Sequence, residues 1–477
     1  MTAVAPAPGS ACFTLAEVLA ATGGELERVG AHVTFAGVTT DSRAVGAGQL
    51  FVAIRGDTHD GHAFAAQAAA RGAGAVLVES GVLDPLPPGG VITVRDTLAA
   101  LGDLAAAHRR RRPARVVAIT GSNGKTTTKE MLTGICGRAL GEAQVLRTRG
   151  TQNNLVGLPL TLLRLGDGEA VAIVECGMNG PGEIWRLAEI ASPDVGVITC
   201  VSRAHLEGLG SLHGIAEAKA ELYRRLRPSA VAVVNADDPH VAAAAECFPG
   251  RTVRFGMTAE PATLDVQALD VADEGLEGLR FRLRAGDETT PVRLALPGRH
   301  NVTNALAAAA AAHALGIRAE AIAAGLATFR PPAMRMEVQR TRAGLTIVND
   351  AYNANPASMA AALAMLAATP AARRAAALGE MRELGAATAA AHAEVGAGAA
   401  RAGLDALFLL GAHAAATRDG AIAAGLPPDR IVVAATHEEL ASRLRAWCRA
   451  GDVLLLKGSR GSAMEEVLPH LDPELDP

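Results

Sequence analysis

The sequence lacks the features of a secreted, membrane-spanning or nucleic-acid-binding protein. Its six cysteines are scattered without a C-x-x-C pair, which argues against a zinc site or a disulfide framework and favours reduced thiols. No apolar run approaches the length that crosses a bilayer, and Met1–Ser10 has no basic residue ahead of an apolar stretch, so we expect no secretory signal. The net charge of -4 gives no basic surface for nucleic acid. We therefore predict a soluble, cytoplasmic protein.

Lysine is also scarce. Of the 45 basic residues only four are lysine, namely Lys125, Lys129, Lys219 and Lys457. Arginine evidently serves wherever a surface cation is enough. Because only lysine offers a compact ammonium or an amine that can lose its proton, each of the four is a candidate for chemistry that a guanidinium cannot perform. The alternative is that they remain by chance.

The length of the chain and two breaks in its succession of predicted helices and strands indicate several domains. A chain of 477 residues exceeds one ordinary core. The first break is the charged run Arg109–Pro113, and the second is Phe329–Pro332, which follows an alanine-rich helical stretch. We predict domains over residues 1–108, 109–330 and 331–477.

Short β-branched runs alternate with helical patterns, which is typical of parallel α/β sheets. In the middle segment the predicted strands are Arg115–Thr120, Ala170–Glu175, Val195–Thr199 and Ala230–Asn235, followed by an antiparallel appendage of Val253–Phe255, Leu279–Arg284 and Val292–Leu296. In the outer segments they are Gln49–Ile54, Ala75–Glu79, Leu345–Asn349, Ala375–Leu378, Ala406–Leu410, Ile431–Ala434 and Val453–Leu456. The predicted fold class is α/β, with a small N-terminal α/β domain, a central P-loop-type parallel sheet and a Rossmann-like C-terminal domain.

A glycine loop lies between the first strand of the middle segment and a helix predicted from Thr127 onward. It reads Gly121-Ser122-Asn123-Gly124-Lys125-Thr126-Thr127. Glycines let the backbone approach a phosphate, and the helix N-terminus offers unpaired N–H groups. Lys125 can then neutralise the outer phosphates, and the Thr126 hydroxyl can bind magnesium. The loop departs from G-x-x-x-x-G-K-[ST], because Ile119 stands where that pattern has its first glycine.

Two further candidates follow strands of the same sheet. Ligands of open parallel sheets bind beyond the carboxyl ends of the strands. Glu175 ends the second predicted strand of the middle segment, where its carboxylate can hold a magnesium ion. His205 follows the third strand by a short loop. A solvated Glu at a strand end and a structural histidine are the competing interpretations.

Lys219 lies on the apolar face of a helix predicted over Leu212–Leu226, in line with Ile215 and Leu222. Burial lowers the pKa of an amine, so that its neutral form becomes available. A neutral amine can react with carbon dioxide to give a carbamate, an anion that can bind magnesium. The alternative is a lysine that extends its amine along the face to solvent.

These motifs resemble those of the Mur ligases of bacterial cell-wall synthesis, and in particular of the members that add D-alanyl-D-alanine. The resemblance covers nearly the whole chain. It is carried by Asp41-Ser42-Arg43, Gln49–Ala53 and Asp60–His62, by the loop Gly121–Thr127, by Asn153–Pro159, Ala204–Glu207, Gly214–Lys219 and Gly298–Leu306, and by Asp350–Pro356 and Leu378–Gly385.

The resemblance implies an ATP-dependent amide ligase that joins D-Ala-D-Ala to UDP-N-acetylmuramoyl-tripeptide through an acyl phosphate, with ATP and Mg²⁺ as cofactors. It implies that Lys125, Lys219 and His205 are catalytic, and that Thr126, Glu175, His205 and carbamylated Lys219 place magnesium. The nucleotide would be bound by Gly121–Thr127, Asn301, Asn304, Arg335 and Asp350, and the UDP-linked substrate by Ser42, Arg43, Asn153 and Asn154. Lys457 and Arg460 would help to close the cleft. We expect a monomer.

Two departures from the family pattern concern substrate contacts. Thr151-Gln152 replaces the usual Gly-Asn, and Val201-Ser202-Arg203 replaces Asn-Ile-Gly. The nearest alternatives are a third-residue-adding Mur ligase, whose Asp-Asn-Pro-Arg signature is absent, and a folylpolyglutamate synthase, which would lack the Asp-Ser-Arg motif. A P-loop switch or transport ATPase would carry the conventional loop.

Overall fold

The chain folds into three consecutive α/β units, each built on its own sheet. The structure is a computed structural model that describes residues 12–56, 58–204 and 206–472. Met1–Ser10 and His205 therefore lie outside the described residues. Within the described ranges, no helix combines the length and the hydropathy needed to cross a bilayer.

The N-terminal unit has a small sheet of order β2-β7-β6-β5-β4, in which only β2 is antiparallel to its neighbour. Its helices are α1 (Leu15–Thr22), α2 (Ala65–Ala70) and α3 (Thr97–Arg110), and its strands are β1 (Phe13–Thr14), β2 (Glu25–Arg28), β3 (Thr34–Phe35), β4 (Val38–Thr39), β5 (Leu50–Val52), β6 (Ala75–Glu79) and β7 (Gly90–Val94).

The central unit carries the longest sheet, of order β16-β15-β14-β13-β12-β11-β8-β10-β9. Its elements are β8 (Arg115–Thr120), α4 (Lys125–Leu140), β9 (Val145–Arg147), α5 (Gly157–Leu162), β10 (Val171–Glu175), α6 (Glu183–Ala191), β11 (Val195–Ile198), α7 (Leu206–Leu209), α8 (Leu212–Arg225), β12 (Val231–Asn235), α9 (Pro239–Ala245), β13 (Arg251–Gly256), β14 (Val266–Asp273), β15 (Leu279–Ala285), β16 (Glu288–Leu294), α10 (His300–Ala314) and α11 (Ala319–Ala327).

The strand order places a topological switch point at β8. Strands β9 and β10 lie on one side of it and β11 to β14 on the other, all parallel. The two neighbouring connections leave β8 in opposite directions, so a crevice opens beyond its carboxyl end. The loop after β8 occupies this position.

The C-terminal unit has a sheet of order β17-β18-β22-β19-β20-β21, parallel except for β17. Its elements are β17 (Glu337–Arg340), β18 (Thr346–Asp350), α12 (Pro356–Ala368), β19 (Arg374–Leu378), α13 (Thr388–Arg401), β20 (Ala406–Leu410), α14 (Ala414–Ala423), β21 (Ile431–Ala434), α15 (His437–Trp447), β22 (Val453–Lys457) and α16 (Leu468–Leu471). The predicted α/β class is confirmed.

Three details of the prediction were wrong. The helix after the glycine loop begins at Lys125 rather than Thr127. The alanine-rich stretch forms two helices, because Gly316 adopts a left-handed φ of 84° that ends the first. The strand Arg251–Gly256 pairs in parallel with β12 and β14, so the antiparallel part of the sheet begins only where β15 pairs with β14.

The core is continuous across the first predicted break. One apolar cluster joins Phe13 and Val18 to Val116 and Ala118. Arg109, predicted to belong to a charged break, is buried; its guanidinium lies 3.0 Å from the Asp194 carboxylate and donates to the Ala191 carbonyl. The N-terminal and central units therefore pack together through apolar side chains and a neutralised arginine.

Candidate active site

The loop after β8 depends on two glycines with positive φ. Gly121 has φ 148° and Gly124 has φ 81°. A Cβ on Gly121 would lie 1.8 Å from Thr199 Oγ1, and one on Gly124 would lie 2.1 Å from Asn304 Oδ1. Only glycine fits both the space and the backbone. The loop therefore presents main-chain N–H groups and the N-terminus of α4 to the crevice.

Lys125 lies in the first turn of α4 and folds back over the loop. Its Nζ donates to the Gly121 carbonyl at 2.7 Å. Burial lowers the pKa of this amine, while the negative charge of Glu175 acts in the opposite direction. The ammonium thus lies beside the main-chain groups that would surround a phosphate.

Glu175 ends β10 and is buried, with 1% of its surface exposed. Its Oε2 accepts the Thr126 hydroxyl at 2.9 Å, and its Oε1 accepts the Asn153 amide at 2.9 Å. The residue is therefore not the solvated strand end of the competing interpretation. It brings together the phosphate loop and the loop after β9.

Lys219 lies on α8 and is 2% exposed, with its side chain at the wall of the same crevice. Burial, and next the positive charge of Lys125, lower the pKa of the Lys219 amine well below its ordinary value. An amine of this kind has an available neutral form. Lys219 therefore does not extend to open solvent.

Two asparagines of α10 face the phosphate loop from the opposite side. Asn304 Nδ2 donates to Asn301 Oδ1 at 2.8 Å, and Asn301 Nδ2 donates to the Pro297 carbonyl at 2.7 Å. Both side chains are buried, and each hydrogen bond fixes the orientation of an amide. The pair forms a polar wall next to Gly124.

The C-terminal unit contributes the facing wall. Asp350 and Lys457 are register partners at the ends of β18 and β22, and Lys457 Nζ lies 2.5 Å from Asp350 Oδ2. Asp350 Oδ1 also accepts the Met336 N–H at 3.1 Å. The Arg335 guanidinium stacks 4.0 Å from the centre of the Tyr352 ring. A planar cation and an aromatic face suit a nucleotide base or sugar.

One cavity of about 510 Å³ brings most of the predicted residues together. Those that line it are Ser122, Asn123, Gly124, Lys125, Thr126, Thr127, Asn153, Glu175, Lys219, Asn301, Asn304, Arg335, Asp350 and Lys457. Gly121 belongs to the same loop but is not among the residues that line the cavity. His205 belongs to the part of the chain that is not described.

Three predicted substrate residues do not line this cavity. Asn154 Oδ1 accepts the Val156 and Gly157 N–H groups at the start of α5, a structural role. In the N-terminal unit, Ser42 donates to Gln67 Oε1 at 3.0 Å and Arg43 pairs with Asp41 at 2.9 Å. The Asp41 ion pair and main-chain contact lower the pKa of that carboxyl to about 2.

The structure gives a role to Lys129, which the sequence analysis named only as one of four scarce lysines. Lys129 is fully buried, and its Nζ donates to the carbonyls of Thr148 at 2.9 Å and Gly150 at 3.1 Å and pairs with Glu130. It fixes the segment that leads to Asn153. The scarcity of lysine was a signal for Lys129, but nothing in the sequence assigned its partners.

The donor set fits a divalent cation only in part. In the portion of the chain that is described, no group of three His, Cys, Asp or Glu side chains is arranged to hold a metal ion. Thr126 and Glu175 do place two oxygen donors side by side, next to the wall that carries Lys219. Oxygen donors are what magnesium prefers, and it commonly keeps waters and substrate phosphates as its other ligands.

Family models match all three units. The Mur ligase family catalytic domain matches residues 34–109, the Mur ligase middle domain 119–312 and the Mur ligase glutamate ligase domain 334–460. The UDP-N-acetylmuramoyl-tripeptide--D-alanyl-D-alanine ligase of Escherichia coli K12 is 38% identical over 463 residues, which are 96% of this chain and 98% of that protein.

Solved structures agree with the sequence comparison. MurF from Acinetobacter baumannii superposes with a TM-score of 0.88 at 32% identity, over 98% of this chain and 99% of that one. MurF ligase from Thermotoga maritima, solved in complex with ADP, superposes with a TM-score of 0.80 at 29% identity, over 92% and 97%. The resemblance inferred from the motifs is confirmed, and the chain belongs to the Mur ligase family.

Proposed function

We propose that this chain is the ATP-dependent ligase that joins D-alanyl-D-alanine to UDP-N-acetylmuramoyl-tripeptide in peptidoglycan precursor synthesis. The proposal rests on one observation. In the cavity of about 510 Å³, the phosphate loop, Glu175 and Lys219 meet the C-terminal wall that contains Arg335 and Asp350. The full-length likeness to proteins of that printed activity supports this choice over third-residue addition and over folylpolyglutamate synthesis.

The reaction needs ATP because a carboxylate is a poor acylating agent. A carboxylate oxygen of the tripeptide attacks the γ-phosphorus, the bond to the β–γ bridging oxygen breaks, and ADP leaves. The amine of D-Ala-D-Ala then attacks the acyl carbon, a C–N bond forms, the C–O bond to phosphate breaks, and a proton leaves the nitrogen. The products are the amide, ADP and phosphate.

The chain's own contribution is to position the reactants and to offset negative charge. The loop N–H groups and Lys125 would hold the β- and γ-phosphates. Asn301, Asn304, Arg335 and Asp350 would hold the nucleoside, and Asn153 would orient the incoming carboxylate. Closing the C-terminal unit over the crevice would keep water from the acyl phosphate.

Magnesium would be held by Thr126, Glu175, His205 and carbamylated Lys219, and when bound it would neutralise the transferring phosphoryl oxygens. The buried Glu175 carboxylate and the low pKa of the Lys219 amine support this ligand set. Without the carbamate, Lys219 would offer the site an amine rather than a magnesium-binding anion.

Each of the three predicted domains would have its own role in the reaction. Residues 1–108, with Ser42 and Arg43, would bind the UDP-sugar part of the substrate. Residues 109–330 would bind ATP, and residues 331–477 would close the site and carry the acceptor. We propose a cytoplasmic monomer, and the six free cysteines support a reducing compartment.

Phosphate release tests the proposal. The purified chain is supplied with ATP, Mg²⁺ and UDP-N-acetylmuramoyl-tripeptide, and D-Ala-D-Ala is compared with single amino acids and glutamate. We expect strong stimulation by the dipeptide alone, and none in a Lys125→Ala control. If D-Ala-D-Ala gave no stimulation over the blank, the proposed function would be wrong.

A further inference from the structure

The loop that follows β19 lines a second cavity, which adjoins the cavity that would hold the nucleotide. The second cavity measures about 230 Å³, and Ser122 and Lys125 of the phosphate loop line it together with Arg382 and Glu383 of the loop after β19. The Glu383 carbonyl also accepts a main-chain N–H of α7 at 3.1 Å. The conformation of this loop therefore affects how the C-terminal unit meets the central unit beside the phosphate loop.

Three consecutive main-chain N–H groups of the loop are each held by a side-chain acceptor. Those of Glu380 and Arg382 donate to two serine hydroxyls in the segment that follows β22, each at 3.0 Å. Between them, the Met381 N–H donates to His392 Nε2 on α13 at 3.1 Å. The loop is thus fixed from two sides. Of the three acceptors, only the imidazole takes up a proton near neutral pH.

The two ring nitrogens of His392 have opposite roles. Nδ1 lies 2.8 Å from the Thr388 carbonyl, one turn earlier in α13, and it carries a proton because a carbonyl oxygen only accepts. Nε2 accepts the Met381 N–H and therefore carries none. Only the neutral ring with its proton on Nδ1 makes both hydrogen bonds. A second proton, on Nε2, would place two donors face to face and leave the Met381 N–H without its acceptor.

The surroundings of His392 favour its neutral form. The residue is 2% exposed, and burial lowers the pKa of the imidazole below its ordinary value. The hydrogen bond to the Thr388 carbonyl and the negative charge of Glu380 oppose this shift, whereas the neighbouring His413 adds to it. The rings of His392 and His413 have their centres 4.9 Å apart.

The other charged side chains of α13 and of the helices packed against it have their own partners or lie in another turn. Helix α12 has no ionisable side chain, and on α14 Arg418 pairs with Asp419 at 2.9 Å. On α13 itself, Glu394 pairs with Arg203 at 3.1 Å, and Arg401 lies in the last turn. The charges that shift the pKa of the imidazole are thus the two described above.

We propose that His392 is a positioning residue for the acceptor step: its neutral ring holds the loop after β19 in place, and a proton on Nε2 releases this loop. The inference rests on the proposed function, in which the C-terminal unit carries the acceptor. His392 lines neither cavity, so it acts on the reaction through the Met381 N–H and the main chain of Arg382 and Glu383.

The test measures KM for D-Ala-D-Ala at pH 8 in two variants. His392→Leu fills a similar space but offers the Met381 N–H no acceptor, so KM should rise roughly 5- to 100-fold, the factor for one buried donor left unsatisfied. His392→Gln has an amide oxygen that can accept the N–H and does not titrate, so its KM should stay within roughly 3-fold of the wild type. KM for ATP should be unchanged in both.

The pH dependence separates positioning from packing. As the pH falls from 8 to 5, the wild-type KM should rise toward that of His392→Leu, because the imidazole takes up its second proton. Protonation of the dipeptide amine affects all variants alike, so the ratio of the wild-type KM to that of His392→Gln should rise. His470→Gln, at an exposed position of α16 in the same unit, is the matched control and should follow the wild type at every pH.

Nitrogen NMR of the histidine-labelled wild type determines the tautomer directly. The signals that are missing from His392→Gln should show a proton on Nδ1 and none on Nε2 at pH 8. A proton on Nε2 at this pH would overturn the inference, even if His392→Leu failed to fold.

Failure of this inference is distinct from failure of the proposed function. A wild-type KM for D-Ala-D-Ala in His392→Leu would overturn the inference alone. So would equal rises of KM in the leucine and glutamine variants, or a ratio of wild-type to glutamine KM that stayed constant between pH 8 and pH 5. Absence of any stimulation by D-Ala-D-Ala in the wild type would instead overturn the function.

Discussion

Asn123 of the phosphate loop and Asn355 of the C-terminal unit exchange two side-chain hydrogen bonds, at 3.3 and 2.8 Å. Asn355 also caps α12 through the Ser358 N–H. The contact therefore links the loop that would bind phosphate directly to the start of a helix in the C-terminal unit. An Arg203–Glu394 ion pair crosses the same boundary at 3.1 Å, but both side chains are half exposed, and such pairs stabilise little.

We expect Asn123→Ala to favour the open arrangement of the units. Two neutral hydrogen bonds contribute about 1–3 kcal/mol together, so kcat should fall roughly 5- to 100-fold. Small-angle scattering with ADP bound should give a larger radius of gyration than for the wild type. Thr263→Ala, which removes one exposed hydrogen bond in the appendage, is the control. Wild-type turnover and scattering in Asn123→Ala would show that the contact does not hold the units together.

Gly124→Ala should abolish tight nucleotide binding. The new Cβ would meet Asn304 Oδ1 at 2.1 Å in a backbone with φ 81°, and we expect ADP affinity to fall at least about 100-fold. Gly316→Ala is matched to it, because Gly316 has φ 84° but no atom within 4 Å of the added Cβ. Calorimetry should find wild-type ADP affinity in Gly316→Ala. Equal losses of ADP affinity in both variants would show that backbone strain, and not the contact of the new Cβ with Asn304, causes the loss.

Lys219→Ala should lose at least about 100-fold in kcat, because the side chain proposed to hold magnesium at the phosphate site is removed. If the functional form is a carbamate, excess bicarbonate should not restore this variant, whereas a small carboxylic acid should restore part of the rate. Lys219→Arg, which introduces a permanent cation and cannot form a carbamate, should stay inactive. Turnover near that of the wild type in Lys219→Ala would refute the carbamate.

His108 should make stability depend on pH. It is fully buried, its Nε2 lies 2.7 Å from the Leu165 carbonyl, and burial lowers its pKa from 6.5 to about 4. Its neutral form is favoured in the fold, so unfolding below pH 6.5 takes up a proton. The contribution of His108 to the free energy of unfolding is therefore complete above pH 6.5 and falls as the pH drops toward 4. At pH 5 the protein should be less stable by about 2 kcal/mol for this reason.

The urea midpoint of the wild type should accordingly fall between pH 7 and pH 5, and the fall should be smaller in His108→Gln. His213→Gln, at an exposed position of α8, should retain the wild-type dependence. If the urea midpoint of His108→Gln depended on pH as strongly as that of the wild type, groups other than His108 would be responsible for the dependence.

Most of the buried parallel strands could be predicted because they are continuous β-branched or apolar runs between turn residues. Arg115–Thr120, Ala75–Glu79 and Ala406–Leu410 were predicted to the residue. Strands with mixed or short patterns were missed. Val266–Asp273 carries charged and small residues on its exposed half, Val145–Arg147 has only three residues, and Gly90–Val94 follows a proline-rich turn.

Site residues whose side chain is unusual for its position in a strand or helix could also be predicted from the sequence. Glu175 stood out as a charge at the end of an apolar strand, and Lys219 as a lysine on an apolar helical face. Contacts such as Asn123 with Asn355 or Lys457 with Asp350 join positions more than one hundred residues apart. They depend on how the units pack and on which loops meet, and no local pattern specifies either.

The burial of the lysines has a practical consequence. Lys129, Lys219 and Lys457 are at most 2% exposed, and Lys125 is half-buried against its own loop. The outer surface thus offers almost no side-chain amine to an acylating reagent. The rate at which such a reagent modifies Lys125, read by mass spectrometry with and without ADP, would report the opening of the cleft without any engineered label.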